Sequence, residues 1–145
     1  MEELIQKKNI EVNIDVDNWE DAIKSVGYLL MNSKQIEDGY VNSMINSVKE
    51  LGPYIVLSQG FALAHAAPNT ETVHKPSLAI VTLKKPVKFG SPNDPVKVLM
   101  CLACMDKATH LDLLSKAAKK LMQENFVENA AKCKTVDELY HVIND

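Results

Sequence analysis

The chain has 145 residues, 46% of them apolar and 24% charged, with a formal net charge of −3. That length can bury a core without disulfide or metal staples, and the composition excludes disordered and fibrous classes. All 16 basic residues are lysines, so no bidentate guanidinium is available to clamp an anion; lysine, histidine or backbone N–H must do so. Three cysteines in no disulfide-dense pattern, with no apolar leader after Met1, predict a reduced, cytoplasmic protein. No apolar run reaches the roughly 18 residues of a membrane span. Residues 51–109 carry six lysines against three acids and are the only cationic third. That excess is too weak for nucleic-acid binding but suits a small anionic group.

In chain order, Ile10, Val12, Ile14 and Val16 alternate with polar residues, the period of a half-buried strand over 10–16. Asp17 then predicts a helix N-cap with Glu20 as its capping-box partner. Trp19, Ala22, Ile23, Val26, Leu29 and Leu30 fall on one stripe of that helix. A second helix runs from about Glu37 with Tyr40, Met44, Ile45, Val48 and Leu51 inward, and Gly52-Pro53 stops it. Short apolar runs at 54–57, 62–64, 78–83, 87–89 and 96–103 read as strands. The last is apolar on both faces, as a central strand covered by helices is. Thr109 and Asp112 predict a cap for a helix to about Met122, with Leu111, Leu114, Ala118 and Leu121 inward. Thr135 and Glu138 cap another, with Val136, Leu139, Tyr140 and Ile143 inward. The expected fold is α/β: one domain over 1–145, a single mixed sheet with helices on both faces.

Four histidines are candidates for chemistry. His65 closes a short strand between alanines; small neighbours leave an imidazole approachable, and a sheet can aim it. The ordinary alternative is a half-buried histidine bonded to backbone. His110 falls in the first turn of the helix that Thr109 opens, where unpaired N–H groups and the dipole favour an anion and disfavour an imidazolium. The alternative there is a solvated terminal residue. His74, in a Thr-Val-His-Lys-Pro loop, and His141, on the last helix, read as structural or solvated. Cys101 and Cys104 are spaced i, i+3 on a strand, so they point to opposite faces and cannot share one metal ion. They read as buried structural thiols rather than a redox pair. No Gly-rich phosphate loop, His-Glu-x-x-His or Gly-x-Ser-x-Gly occurs. Lys84, Lys85 and Lys88 read as a solvated hairpin rim.

Taken together, several stretches resemble the enzyme IIA proteins of the bacterial phosphoenolpyruvate-dependent sugar phosphotransferase system. The resemblance lies in the mannitol–fructose superfamily, nearest the ascorbate-type branch. The carrying motifs are Asn18-Trp-Glu-Asp-Ala22, Gly52-Pro-Tyr-Ile-Val-Leu57, Gly60-Phe-Ala-Leu-Ala-His-Ala66, Leu83-Lys-Lys-Pro-Val87, Asn93-Asp-Pro-Val-Lys97 and Thr109-His-Leu111. The resemblance implies that His65 is the phosphoacceptor and His110 stabilises the phosphoryl group. It implies phosphate arriving from the phosphohistidine of HPr and leaving to a cysteine of enzyme IIB, with the membrane component enzyme IIC engaged only indirectly. No cofactor, metal or nucleic acid is implied. The chain departs from the family at Ala64, where proline is usual. It departs again at Ala66-Ala67-Pro68 and Ser47-Val48-Lys49, where an arginine is frequent. Two other outputs fit the same residues: a regulatory phosphocarrier acting on a partner protein, or a zinc hydrolase using His65, His110 and a cysteine.

Overall fold

The computed structural model describes residues 3–145. Five strands, β1 (Ile10–Ile14), β2 (Val56–Ser58), β3 (Phe61–Ala64), β4 (Ser77–Val87) and β5 (Val96–Ala103), form one mixed sheet in the order β1-β4-β5-β3-β2. β1 runs parallel to β4, and β3 runs parallel to β5; the β4–β5 and β2–β3 pairs are antiparallel. The apolar run at 96–103 is the centre strand, as its two-sided hydrophobicity requires. Its alternate residues divide between two cores. Leu99, Cys101 and Ala103 pack toward helices α1 (Trp19–Asn32) and α2 (Asp38–Leu51). Val98, Met100, Leu102 and Cys104 pack toward α3 (Lys107–Leu121), α4 (Phe126–Ala131) and α5 (Val136–Asn144). Helices therefore cover both faces, as expected.

Several boundaries differ from the sequence reading, each for a local reason. The cap of α1 is Asn18, not Asp17: its side chain accepts from the Asp21 N–H at 2.8 Å, and its carbonyl accepts the first helical bond from Ala22. An N-cap residue of this kind supplies both acceptors, satisfying an otherwise unpaired N–H of the first turn. In the same way α3 is opened by Asp106, whose carboxylate takes the Thr109 N–H at 2.8 Å and whose carbonyl takes the His110 N–H at 3.1 Å. Thr109 is thus inside the helix rather than its cap. The Thr135–Glu138 capping box of α5 is present with both reciprocal bonds.

The inward stripe of α3 also differs. Ala117 and Lys120 are buried, with Leu113, Leu114 and Leu121 packed beside them, while Leu111 is 54% exposed and Ala118 is exposed. Lys120 hid this face from the sequence. Its apolar stem lies in the core while its ammonium donates to the Asp145 main-chain oxygen at 2.8 Å. Leu51, read as inward, is 72% exposed because the chain turns away at Gly52, whose φ is +83°. The first two strands are shifted, β1 ending at Ile14 and β2 starting at Val56. The run at 78–83 and Val87 belong to one strand, β4, which is irregular opposite β5 between Thr82 and Val87, while Lys88 and Phe89, expected in a further strand, lie beyond its end. Helix α4 follows Asn125, whose φ is +61°, and carries too short an apolar pattern to be read separately.

Candidate functional site

Parallel pairing of β3 and β5 brings the residues that follow them to one end of the sheet. His65 is the first residue beyond β3, and α3 begins shortly beyond β5, so two segments far apart in sequence meet there. The imidazole rings of His65 and His110 lie 5.7 Å apart, centroid to centroid, tilted by 57°. His65 is half-buried, and its Nδ1 sits 2.8 Å from the Leu63 carbonyl. A carbonyl only accepts, so Nδ1 carries the proton of the neutral ring. The Nε2 lone pair is left as the nucleophilic position.

The backbone at His65 has run out of ladder partners, and two tyrosines replace them. The Tyr54 hydroxyl donates to the His65 carbonyl at 2.8 Å, and the Tyr54 ring meets the imidazole edge-on at 5.2 Å and 86°. The Ala66 N–H donates to the Tyr40 hydroxyl at 3.0 Å, and that hydroxyl donates onward to the Leu102 carbonyl at 2.7 Å. Burial raises the Tyr40 and Tyr54 phenol pKa values, so both remain protonated donors. Sequence reading placed Tyr40 in the core and Tyr54 in a strand. Nothing in their spacing marks either as a partner of His65, because the partnership depends on where α2 lies across the sheet end.

His110 is half-buried, and its Nδ1 is enclosed with no hydrogen-bond partner. Burial, and then the neighbouring His65, lower its pKa below the ordinary 6.5, favouring the uncharged ring. One of the expected unpaired N–H groups beside it, that of Thr109, is already taken. The Asp106 carboxylate takes the Thr109 backbone and hydroxyl, which in turn hold its own pKa down. Of the cationic middle third, Lys107 opens α3 three residues before His110, but the Lys84, Lys85 and Lys88 group is not gathered here. Lys84 and Lys85 rise from the bulge opposite Lys97, whereas Ala64 pairs with Cys101. At about 3.3 Å per strand residue these lysines stand roughly 17 Å along the sheet from His65. Lys88 is farther still, beyond the Val87–Val96 pair.

The remaining candidates lie elsewhere. His74 Nε2 pairs with Glu37 at 2.7 Å, and His141 Nδ1 with Asp145 at 3.2 Å. Cys101 and Cys104 face opposite cores, as their spacing requires. Burial pushes their thiols up to about 12 and about 11, so neither is a thiolate at neutral pH. Among the described residues no three His, Cys, Asp or Glu side chains assemble into a metal-holding group, and no helix is long and apolar enough to cross a membrane. Beside His65, Ser43, Asn46, Ser47 and Glu50 of α2 face Ala67 and Asn69 across a cleft of about 350 Å³.

A mixed sheet thus brings His65 and His110 together at the ends of its parallel strands, and comparison with known proteins identifies the family. Residues 3–145 match the family described as phosphoenolpyruvate-dependent sugar phosphotransferase system, EIIA 2, and the chain belongs to that family. It is 34% identical over 144 residues to the ascorbate-specific PTS system EIIA component of Shigella flexneri, covering 97% of this chain and 92% of that one. Its fold matches the solution structure of the mannitol-specific cryptic phosphotransferase enzyme IIA of Escherichia coli. That pair has a TM-score of 0.87 and 23% identity over 98% of each chain. It also matches the mannitol enzyme IIA solved in complex with phosphorylated enzyme IIB from the same organism. Here the TM-score is 0.81, with 20% identity over 96% of each chain.

Proposed function

We propose that this chain is the single-domain, cytoplasmic EIIA phosphocarrier of a sugar phosphotransferase system, with His65 as the residue that carries the phosphate. Phospho-HPr donates to His65 Nε2, and the phosphohistidine passes its phosphoryl group to a cysteine of an EIIB partner. The carbohydrate taken up is ascorbate or a related sugar. The observation that carries this reading is the Nδ1–H bond from His65 to the Leu63 carbonyl, which leaves Nε2 as the free lone pair at an approachable strand end. Attack forms an Nε2–P bond as the donor's N–P bond breaks, and the second step replaces that bond by S–P; the Nδ1 proton stays in place throughout. Such a transfer passes through a loose transition state that needs alignment and charge stabilisation rather than a protein base. His110 supplies part of that stabilisation from the adjacent ring.

The ascorbate assignment is supported by the Shigella relative, and the EIIB partner by the mannitol EIIA complex. Incubation with phosphoenolpyruvate, enzyme I, HPr and candidate EIIB proteins tests the whole sequence of transfers. His65→Ala abolishes labelling; full stoichiometric labelling of that variant overturns the assignment. His110→Ala slows labelling without abolishing it, and an unchanged rate makes its role structural. Phosphate that reaches His65 but no EIIB cysteine moves the protein to a regulatory role.

A further inference from the structure

The peptide unit that leaves the sheet after His65 is held at both of its polar atoms by phenols from different elements. Its carbonyl accepts from Tyr54, just ahead of β2, and its N–H donates to Tyr40 on α2. The two tyrosines are not equivalent. Tyr40 is fully buried and also spends its hydroxyl proton on Leu102, tying α2 to the centre strand. Tyr54 is half-buried and packs against the imidazole itself, its ring centroid 5.2 Å away and nearly perpendicular. An imidazole bonded to its own backbone two residues back has a restricted ring orientation, and a perpendicular ring packed against it removes alternative rotamers.

We propose that Tyr54 is a positioning residue for His65, its hydroxyl holding the acceptor's backbone and its ring holding the imidazole plane so that Nε2 meets phosphorus in line. This rests on the reading of His65 as phosphoacceptor. Tyr54 donates nothing to the transferred group, so its effect falls on alignment. In a transfer governed by geometry, a small displacement of the nucleophile lowers the rate of the chemical step more than the binding of the donor.

Two substitutions separate the contributions. Tyr54→Phe keeps the ring and loses the hydroxyl bond; Tyr54→Leu loses both. Loss of one neutral hydrogen bond predicts a fall of about five- to tenfold in kcat for phosphate uptake from phospho-HPr in Tyr54→Phe, with KM for phospho-HPr unchanged. Tyr54→Leu falls further. The ¹⁵N spectrum of His65, which resolves a protonated Nδ1 and a bare Nε2 in the parent, shifts toward averaged tautomers in Tyr54→Leu. Parent-like kcat and His65 spectra in both variants overturn the proposal. So does a rate loss that merely follows the folded fraction measured by thermal denaturation. If mass spectrometry finds no phosphate on His65 of the parent protein, the carrier reading fails; the imidazole spectra, recorded without phosphate, still decide the positioning role.

Discussion

His110 carries a pH dependence whose sign follows from its surroundings. Its folded pKa lies below 6.5 because burial, and then His65, disfavour the imidazolium. Between that depressed value and 6.5 the unfolded chain binds more protons than the folded one, so stability rises with pH across this window and is lost as pH falls through it. A proton NMR titration places the His110 midpoint below 6.5. Denaturation midpoints recorded from pH 7 downward fall more steeply for the parent than for His110→Gln; equal slopes remove His110 as the source. The same ring becomes easier to protonate once a phosphoryl dianion stands on His65, since an opposite charge at that range favours the cation. A residue that is uncharged in the resting site and more readily charged in the loaded one suits a group that must hold phosphate briefly.

At the scale of elements, α3 is the instructive case. Two stripes of its sequence have helical spacing, one through Leu111 and Ala118 and one through Leu113, Ala117 and Lys120, and the sheet accepts the second. Leu111→Ala therefore leaves stability within about 0.5 kcal/mol of the parent, as surface changes do. Leu99→Ala, in the fully buried face of β5, costs about 2–5 kcal/mol through lost transfer energy and the cavity left behind. Chemical denaturation of the two variants side by side checks the assignment of faces; a large cost at Leu111 reverses it. Leu111, the residue after His110, is exposed instead of lying in the core.

Over the whole molecule, the largest lysine cluster of the middle third and the candidate site are at opposite ends of the sheet. Lys84, Lys85 and Lys88 belong to the β4–β5 end of the sheet, and His65 to the other. Their separation of roughly 17 Å along the strands exceeds the Debye length of about 8 Å at physiological ionic strength. Replacing all three with glutamine leaves the labelling rate of His65 unchanged at 0.15 M salt; a severalfold loss shows that this end participates in transfer. The proposed carrier has no guanidinium to use and stands away from that lysine cluster, which leaves His110, the local backbone and the alignment of His65 to stabilise the phosphoryl group.

Element types and their order were readable from periodicity, because burial on one face of a helix or both faces of a strand imprints directly on residue spacing. The two-sided run of β5, the Thr135–Glu138 box and the opposed cysteines are of this kind: each depends on neighbours within a few residues. His65 stood out from its alanine-flanked strand end and His110 from its helix start, and the familiar motifs around them pointed to phosphotransfer. What spacing could not carry was anything settled by distant partners. Lys120 entered the core because Asp145, far along the chain, supplied its acceptor. Lys84, Lys85 and Lys88 lay far from the site because β4 runs antiparallel to β5 and carries them to the opposite end of the sheet. Tyr54 and Tyr40 became partners of His65 only when the sheet placed its strand end beneath them. Local spacing determines which groups a chain possesses and which way they face; the tertiary structure decides which of them meet, because those contacts join segments whose separation in sequence leaves no periodic trace.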